Sequence, residues 1–228
     1  MPQCHRGAGS QPAAPALLPP WSSYAVILLC AVLACAAGPP VFRSEPVAAA
    51  LREKIRHTTW HPGCPVAPED LRQLKLTYHD FNKIERVGTL LIHKDLADEV
   101  VRHFRNLYLH DFPIKRMVPV EEYGGNDDAS MAANNTSAFN CRDVTGKPGV
   151  YSNHSWGRAI DINPLTNPYV KGDTVLPPAG RQYLDRTKSF PGSILKDGFV
   201  VREFESAGWT WGGRWIDRQD YQHFEKPK

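Results

Sequence analysis

The sequence has no long run of lysine and arginine, and its net charge is only +3. It therefore offers no basic stripe or patch for nucleic acid. No internal repeat is visible. Strand-like and helix-like segments do not alternate regularly, which argues against a doubly wound parallel sheet. No uncharged apolar run reaches the roughly 20 residues that span a bilayer comfortably; the run YAVILLCAVLACAAG at 24–38 falls short. Cysteine is scarce beyond the leader. Of five in the chain, Cys4, Cys30 and Cys35 precede residue 38, leaving Cys64 and Cys141.

What is present is ordinary in bulk. At 228 residues, 42% apolar and 22% charged, the chain is long enough for one soluble domain with a real core, or a domain plus a short appendage. The first forty residues differ. Residues 1–20 are rich in Ala, Pro and Gly and carry one arginine, Arg6. The run at 24–38 has the length of a signal-peptide hydrophobic region, Ala34-Cys35-Ala36 offers small residues for cleavage, and Pro39-Pro40 stops it. Val32-Leu33-Ala34-Cys35 also loosely matches a lipoprotein processing site, with Cys35 lipidated, and the segment could equally be retained as a short anchor. Each alternative places the rest of the chain outside the cytoplasm. The expected division is a signal peptide or membrane anchor over 1–38, a linker over 39–59 and one domain over 60–228. In an oxidising compartment Cys64 and Cys141 are a candidate disulfide, the alternative being two unpaired thiols.

Within that domain, residues 74–78 and 87–92 alternate as strands about a turn at Asn82-Lys83 and read as a hairpin. His79 and His93 at its ends read as surface or satisfied residues. Asp95 is placed to cap a helix reaching Leu109, with Leu96, Val100, Phe104 and Leu107 on one stripe and His103 off it, facing solvent. Residues 113–120 and 138–142 read as strands, 130–133 as a helical turn, and 163–190, rich in Pro and Gly, as a long functional loop. Alternation about Ile160 and Ile162 predicts another strand, and a last helix runs from Phe199 towards Gly208. The mixture predicts an α+β fold with a small antiparallel sheet and flanking helices.

Chemistry concentrates in three strings. In Ser152-Asn153-His154-Ser155-Trp156-Gly157-Arg158-Ala159-Ile160-Asp161, Gly157 permits a tight turn that folds His154 back beside Asp161, and Ala159 leaves space on the same strand face. Imidazole and carboxylate are a fitting zinc pair. In Asp220-Tyr221-Gln222-His223-Phe224-Glu225, His223 is a candidate third ligand, Asp220 a candidate base and Glu225 a weaker one. In Phe139-Asn140-Cys141-Arg142, the arginine is placed to stabilise a developing oxyanion or hold a substrate carboxylate. Three glycosylation patterns beginning at Asn134, Asn135 and Asn153 read as chance matches, since a glycan on Asn153 would obstruct the pocket beside His154.

The pattern S-x-H-x-x-G-x-A-x-D, the upstream F-N-x-R and the terminal D-x-x-H resemble the D-alanyl-D-alanine carboxypeptidase and L-alanyl-D-glutamate endopeptidase family of zinc peptidases, whose fold the amino-terminal domain of hedgehog proteins shares. The likeness covers roughly residues 60–225. It implies a zinc metallopeptidase domain with Zn2+ on His154, Asp161 and His223, Asp220 as general base, and Arg142 near the scissile carbonyl. It implies peptidoglycan stem peptides as substrate, in the periplasm or cell wall. Asp220 stands where the carboxypeptidase branch often has Glu, which leans the expectation towards the L-Ala–D-Glu bond, in a groove walled by 163–190 and by Trp209, Trp211 and Trp215. The D-Ala–D-Ala carboxypeptidase is the alternative, with Arg142, Arg158 or Arg214 as the cation for a terminal carboxylate. A zinc-containing binding domain without catalysis, having no need of Asp220, is a further one.

Overall fold

A computed structural model of the protein describes residues 38–227. The expectations about cleavage, lipidation or retention of the leader fall outside those residues. From Pro39 onward the chain forms one compact unit. In order its elements are β1 (Phe42–Pro46), α1 (Ala49–His57), β2 (Leu71–His79), β3 (Glu85–His93), α2 (Ala97–Leu109), β4 (Arg116–Met117), α3 (Asp127–Ala132), β5 (Asn135–Thr136), β6 (Asp143–Val144), β7 (Lys147–Tyr151), β8 (Ala159–Asp161), β9 (Tyr169–Lys171), β10 (Thr174–Leu176), α4 (Phe199–Glu205), β11 (Thr210–Trp211), β12 (Gln219–Asp220) and β13 (His223–Glu225). The class is α+β, with small, mostly antiparallel sheets. No helix among the described residues is long and apolar enough to cross a membrane.

The hairpin β2–β3 is the scaffold. Leu74 pairs with Leu90 and Arg72 with Ile92. Leu74, Leu76, Tyr78, Leu90 and Ile92 enter the main core, where α2 brings Val100, Phe104 and Leu107. The opposite face sends Leu71 and Leu91 into a second cluster with Val47, Ile55, Phe139 and Cys141. The expected linker at 39–59 is largely structured: β1 pairs antiparallel with β2, and Ile55 of α1 is fully buried in the second cluster.

Other expectations shift for local reasons. Asp95 does not cap α2; it lies in a 3₁₀ turn, Lys94–Leu96, where its amide donates to His93 Nδ1. His103 is buried, because α4 packs on that flank; it hydrogen-bonds Glu203 at 2.9 Å and stacks on Phe204. Of residues 113–120, only β4 pairs, and it pairs parallel to β5; Pro113 and Pro119 bring no amide donors. Residues 138–142 are extended but form no strand, since their amides go singly to separate partners: Phe139 to Leu91 O, Asn140 to His154 O, Cys141 to Thr59 O. Within 163–190 lie β9, β10 and a 3₁₀ turn, so the long loop is itself partly a sheet.

Cys64 and Cys141 are disulfide-bonded, closing a separation of 77 residues. The bond anchors the turn-rich segment after α1 to the extended stretch that ends at Arg142. A loop of that length corresponds to about 4–5 kcal/mol in the chain-entropy model. The Cys64→Ser, Cys141→Ser variant is expected to unfold at markedly lower urea than the oxidised parent, with a stability deficit approaching that figure. Coincident unfolding curves would show that the cross-link contributes nothing.

Candidate metal centre

The antiparallel pair β8–β13 sets Asp161 opposite His223, Ile160 opposite Phe224 and Ala159 opposite Glu225. Ile160 and Phe224 are fully buried in the main core. Strand alternation therefore turns Asp161, His223, Glu225 and Ala159 to the other face. His154 arrives from a 3₁₀ turn, Asn153–Trp156, capped by Ser152 and closed by Gly157 in the left-handed region at φ 61°. A Cβ at residue 157 would lie 2.8 Å from the His93 amide nitrogen, so both the turn and the packing on β3 require glycine.

Three side chains expected as ligands thus meet, and all are buried. His154 Nδ1–H donates to the Ala138 carbonyl at 2.6 Å, which leaves Nε2 with its lone pair facing inward. His223 Nε2–H donates to Glu225 Oε2 at 3.0 Å, which assigns Nδ1 to the interior in the neutral ring. Those inward nitrogens lie 3.2 Å apart. Asp161 adds Oδ2 at 3.1 Å from His154 Nε2 and Oδ1 at 3.0 Å from His223 Nδ1. A cluster of acceptors this close requires a cation. Two imidazoles and one carboxylate are the donor set of a catalytic zinc, and the residues fit that ion.

The protein alone meets the same demand with a proton. Burial by itself pulls His223 down, but hydrogen bonds to Asp161 and Glu225 outweigh it and push its pKa up to about 10. Burial by itself would raise Asp161. The charge of His154 and hydrogen bonds from both rings overcome that and hold its carboxyl well below the usual range.

Asp220 sits on β12, paired with Tyr169 of β9, and lines the same cleft as His154 and His223. Its Oδ1 is buried and has no hydrogen-bond partner. Burial, opposed by the charge of His223, pushes its pKa up to about 6, close to what a general base at neutral pH needs. Glu225, the weaker candidate for the base, is held by two hydrogen bonds. Its Oε2 accepts from His223 Nε2 and, at 2.7 Å, from Asn153 Nδ2, so it braces the two ligand-bearing segments against each other. Arg142 reaches the cleft as expected, with Nε 2.8 Å from Asp127 Oδ2.

The cleft has a volume of about 240 Å³. One wall is the β6–β7 hairpin, whose β7 is exposed at every residue and carries no chemical motif to announce it. The other is formed by Tyr169 and Lys171 of β9, Arg218 and Trp215. Of the three tryptophans expected to line a groove, Trp209 and Trp211 are 3% and 2% exposed and belong to the core. Gly212 went unread in the sequence. A Cβ there would lie 2.9 Å from Asp220 Cβ and 3.3 Å from His223 Cβ, so its absence lets base and ligand approach. The adjacent Gly212-Gly213 pair was the available signal.

A family model described as D-alanyl-D-alanine carboxypeptidase matches residues 145–226. The matched stretch contains His154, Asp161, Asp220 and His223, and begins just after Arg142. No curated protein and no solved structure matches the chain. Over residues 145–226 the match agrees with the family resemblance carried by the motifs.

The bracing by Glu225 has a measurable consequence. Carboxylates that hold a ligating histidine typically affect metal affinity about 10–100-fold. Glu225→Gln is expected to weaken zinc binding within that range, read by chelator competition, while the fold measured by circular dichroism is retained. Unchanged affinity would remove Glu225 from the site's support.

Proposed function

We propose that this chain is an exported, zinc-dependent carboxypeptidase that removes the terminal D-alanine from peptidoglycan stem peptides. The observation that carries the reading is the buried acceptor cage of His154, Asp161 and His223, with Asp220, whose Oδ1 is buried without a hydrogen-bond partner, in the cleft that both histidines line. A purely structural or ligand-binding zinc site has no use for a carboxylate oxygen buried without a partner, which costs stability. The disulfide supports an extracytoplasmic location, since such bonds persist in oxidising compartments.

When bound, zinc supplies a Lewis acid that polarises the scissile carbonyl and acidifies a water. His154, Asp161 and His223 hold it, fixed from behind by the Ala138 carbonyl and by Glu225. Asp220 accepts the proton of the attacking water and passes it to the leaving amine. The Arg142 guanidinium, oriented by Asp127, faces the charge that develops on the carbonyl oxygen.

The choice of bond departs from the leaning of the sequence. The L-Ala–D-Glu reading drew on a groove walled by three tryptophans, and only Trp215 lines the cleft. Among the cations weighed for a terminal carboxylate, Arg158 is buried and donates to Lys226 O, and Arg214 is held between Glu205 and Asp197. The cleft nevertheless has cations of its own, and the matching family description names the carboxypeptidase.

Mass spectrometry of muropeptides digested by the zinc-loaded enzyme is expected to show loss of a single D-alanine from pentapeptide stems. Release of the stem from its L-alanine would instead establish the endopeptidase. Asp220→Asn is expected to keep zinc and fold and to lose about 10²–10⁴-fold in kcat. A variant hydrolysing at the parental rate would return the base to an unassigned group.

A further inference from the structure

Resting on that reading, we infer that Lys171 and Arg218 form the subsite that holds a free carboxylate on the residue following the scissile bond, and that this pair makes the enzyme an exopeptidase. The inference begins with strand alternation. In the β9–β12 pair, Tyr169 faces Asp220 and Val170 faces Gln219. Tyr169, Lys171, Asp220 and Arg218 line the cleft, whereas Val170 and Gln219 do not. Arg218, which directly precedes β12, and Lys171, the last residue of β9, thus come to one cleft. Arg218 precedes the proposed base Asp220 by two residues and Lys171 follows its strand partner Tyr169 by two, each an offset of about 6.6–6.8 Å along an extended chain. One substrate residue separates a scissile carbonyl from the carboxylate of a terminal amino acid, and the long Lys and Arg side chains span the remainder.

Two cations lining one cleft repel each other, which an anionic ligand between them relieves. Lys171 has no ion pair among the described residues. Arg218 has Asp217, its chain neighbour and itself a cleft residue, at 2.6 Å; that carboxylate is 60% exposed, so the pair is a weak one that a substrate carboxylate can share. Arg218 is nevertheless oriented. Its guanidinium lies over the Trp215 ring, 4.2 Å from the centroid, and that ring lies 5.4 Å from the ring of His223. A planar donor fork stacked on an aromatic next to the metal ligand is suited to a carboxylate. Arg142, committed to Asp127, is left for the oxyanion.

The test compares an acylated D-Ala–D-Ala dipeptide with its C-terminal carboxamide, using the zinc-loaded full chain. The parent is expected to favour the acid in kcat/KM by about tenfold or more, as charge-assisted recognition of a carboxylate implies. In the Lys171→Gln, Arg218→Gln double variant the acid-over-amide ratio is expected to fall to about one, mainly through KM for the acid, with zinc content and circular dichroism unchanged. Equal hydrolysis of both compounds by the parent would overturn the inference while leaving the peptidase reading intact, as would a preserved ratio in the double variant or its collapse in Lys147→Gln alone. Should neither compound be hydrolysed, the peptidase reading on this substrate fails. Calorimetric binding of acid and amide to the same proteins then decides the subsite separately: selective binding of the acid, lost in the double variant, supports it, and equal binding overturns it.

Discussion

Two imidazole nitrogens 3.2 Å apart, with both oxygens of one carboxylate about 3 Å away, are the constraint around which this molecule is organised. Lone pairs packed this closely in a buried site repel unless a cation lies among them. The opposition of Asp161 and His223 is imposed by the β8–β13 register, and that register is locked by Ile160 and Phe224 on the core face. A one-residue slip would send those apolar side chains into the cleft and both ligands into the core. Core packing and ligand geometry are therefore set by a single choice of register.

His154 is brought in by a different device. Its turn is moulded against the extended stretch 138–142 by reciprocal bonds: Ala138 O accepts from His154 Nδ1, Asn140 N donates to His154 O, and the Arg142 amide donates to Ser155 Oγ while Arg142 O accepts from it. Phe139 and Cys141 bury the other side of that stretch in the second cluster, where the disulfide fixes it. The segment forms no ladder because its backbone is spent on three neighbours at once. The same commitment makes it a rigid backing for a ligand and delivers Arg142 to the cleft.

The convergence of His154, Asp161 and His223 was partly legible in the sequence, through the turn glycine after His154, alternation through Ile160 and Asp161 and a short terminal strand through His223; the motif resemblance supplied the rest. The hairpin β2–β3 and the stripe of α2 were legible through their local periodicity. What stayed hidden depends on contacts remote in sequence. His103 lies off its helix stripe and is buried only because α4 packs there. Glu225 reads as a possible base until its two hydrogen bonds fix it behind His223. Trp209 and Trp211 cannot be told from Trp215 by composition. Lys171 and Arg218 come from segments nearly fifty residues apart and acquire meaning only through the β9–β12 pairing.

The separation of charge within the cleft follows from what a carboxylate substrate would otherwise do. A free carboxylate is itself a good zinc ligand. Near an exposed divalent ion it would occupy the position needed by the scissile carbonyl and water, and bind without reacting. Cations placed away from the metal along the strand, and oriented on Trp215, give that carboxylate a competing seat at the distance of one substrate residue. Binding energy at the terminus then positions the peptide bond, which is where differential binding lowers the barrier. In this reading Asp220 serves the proton, Lys171 and Arg218 serve the substrate, and the pleat of two short strands keeps them apart.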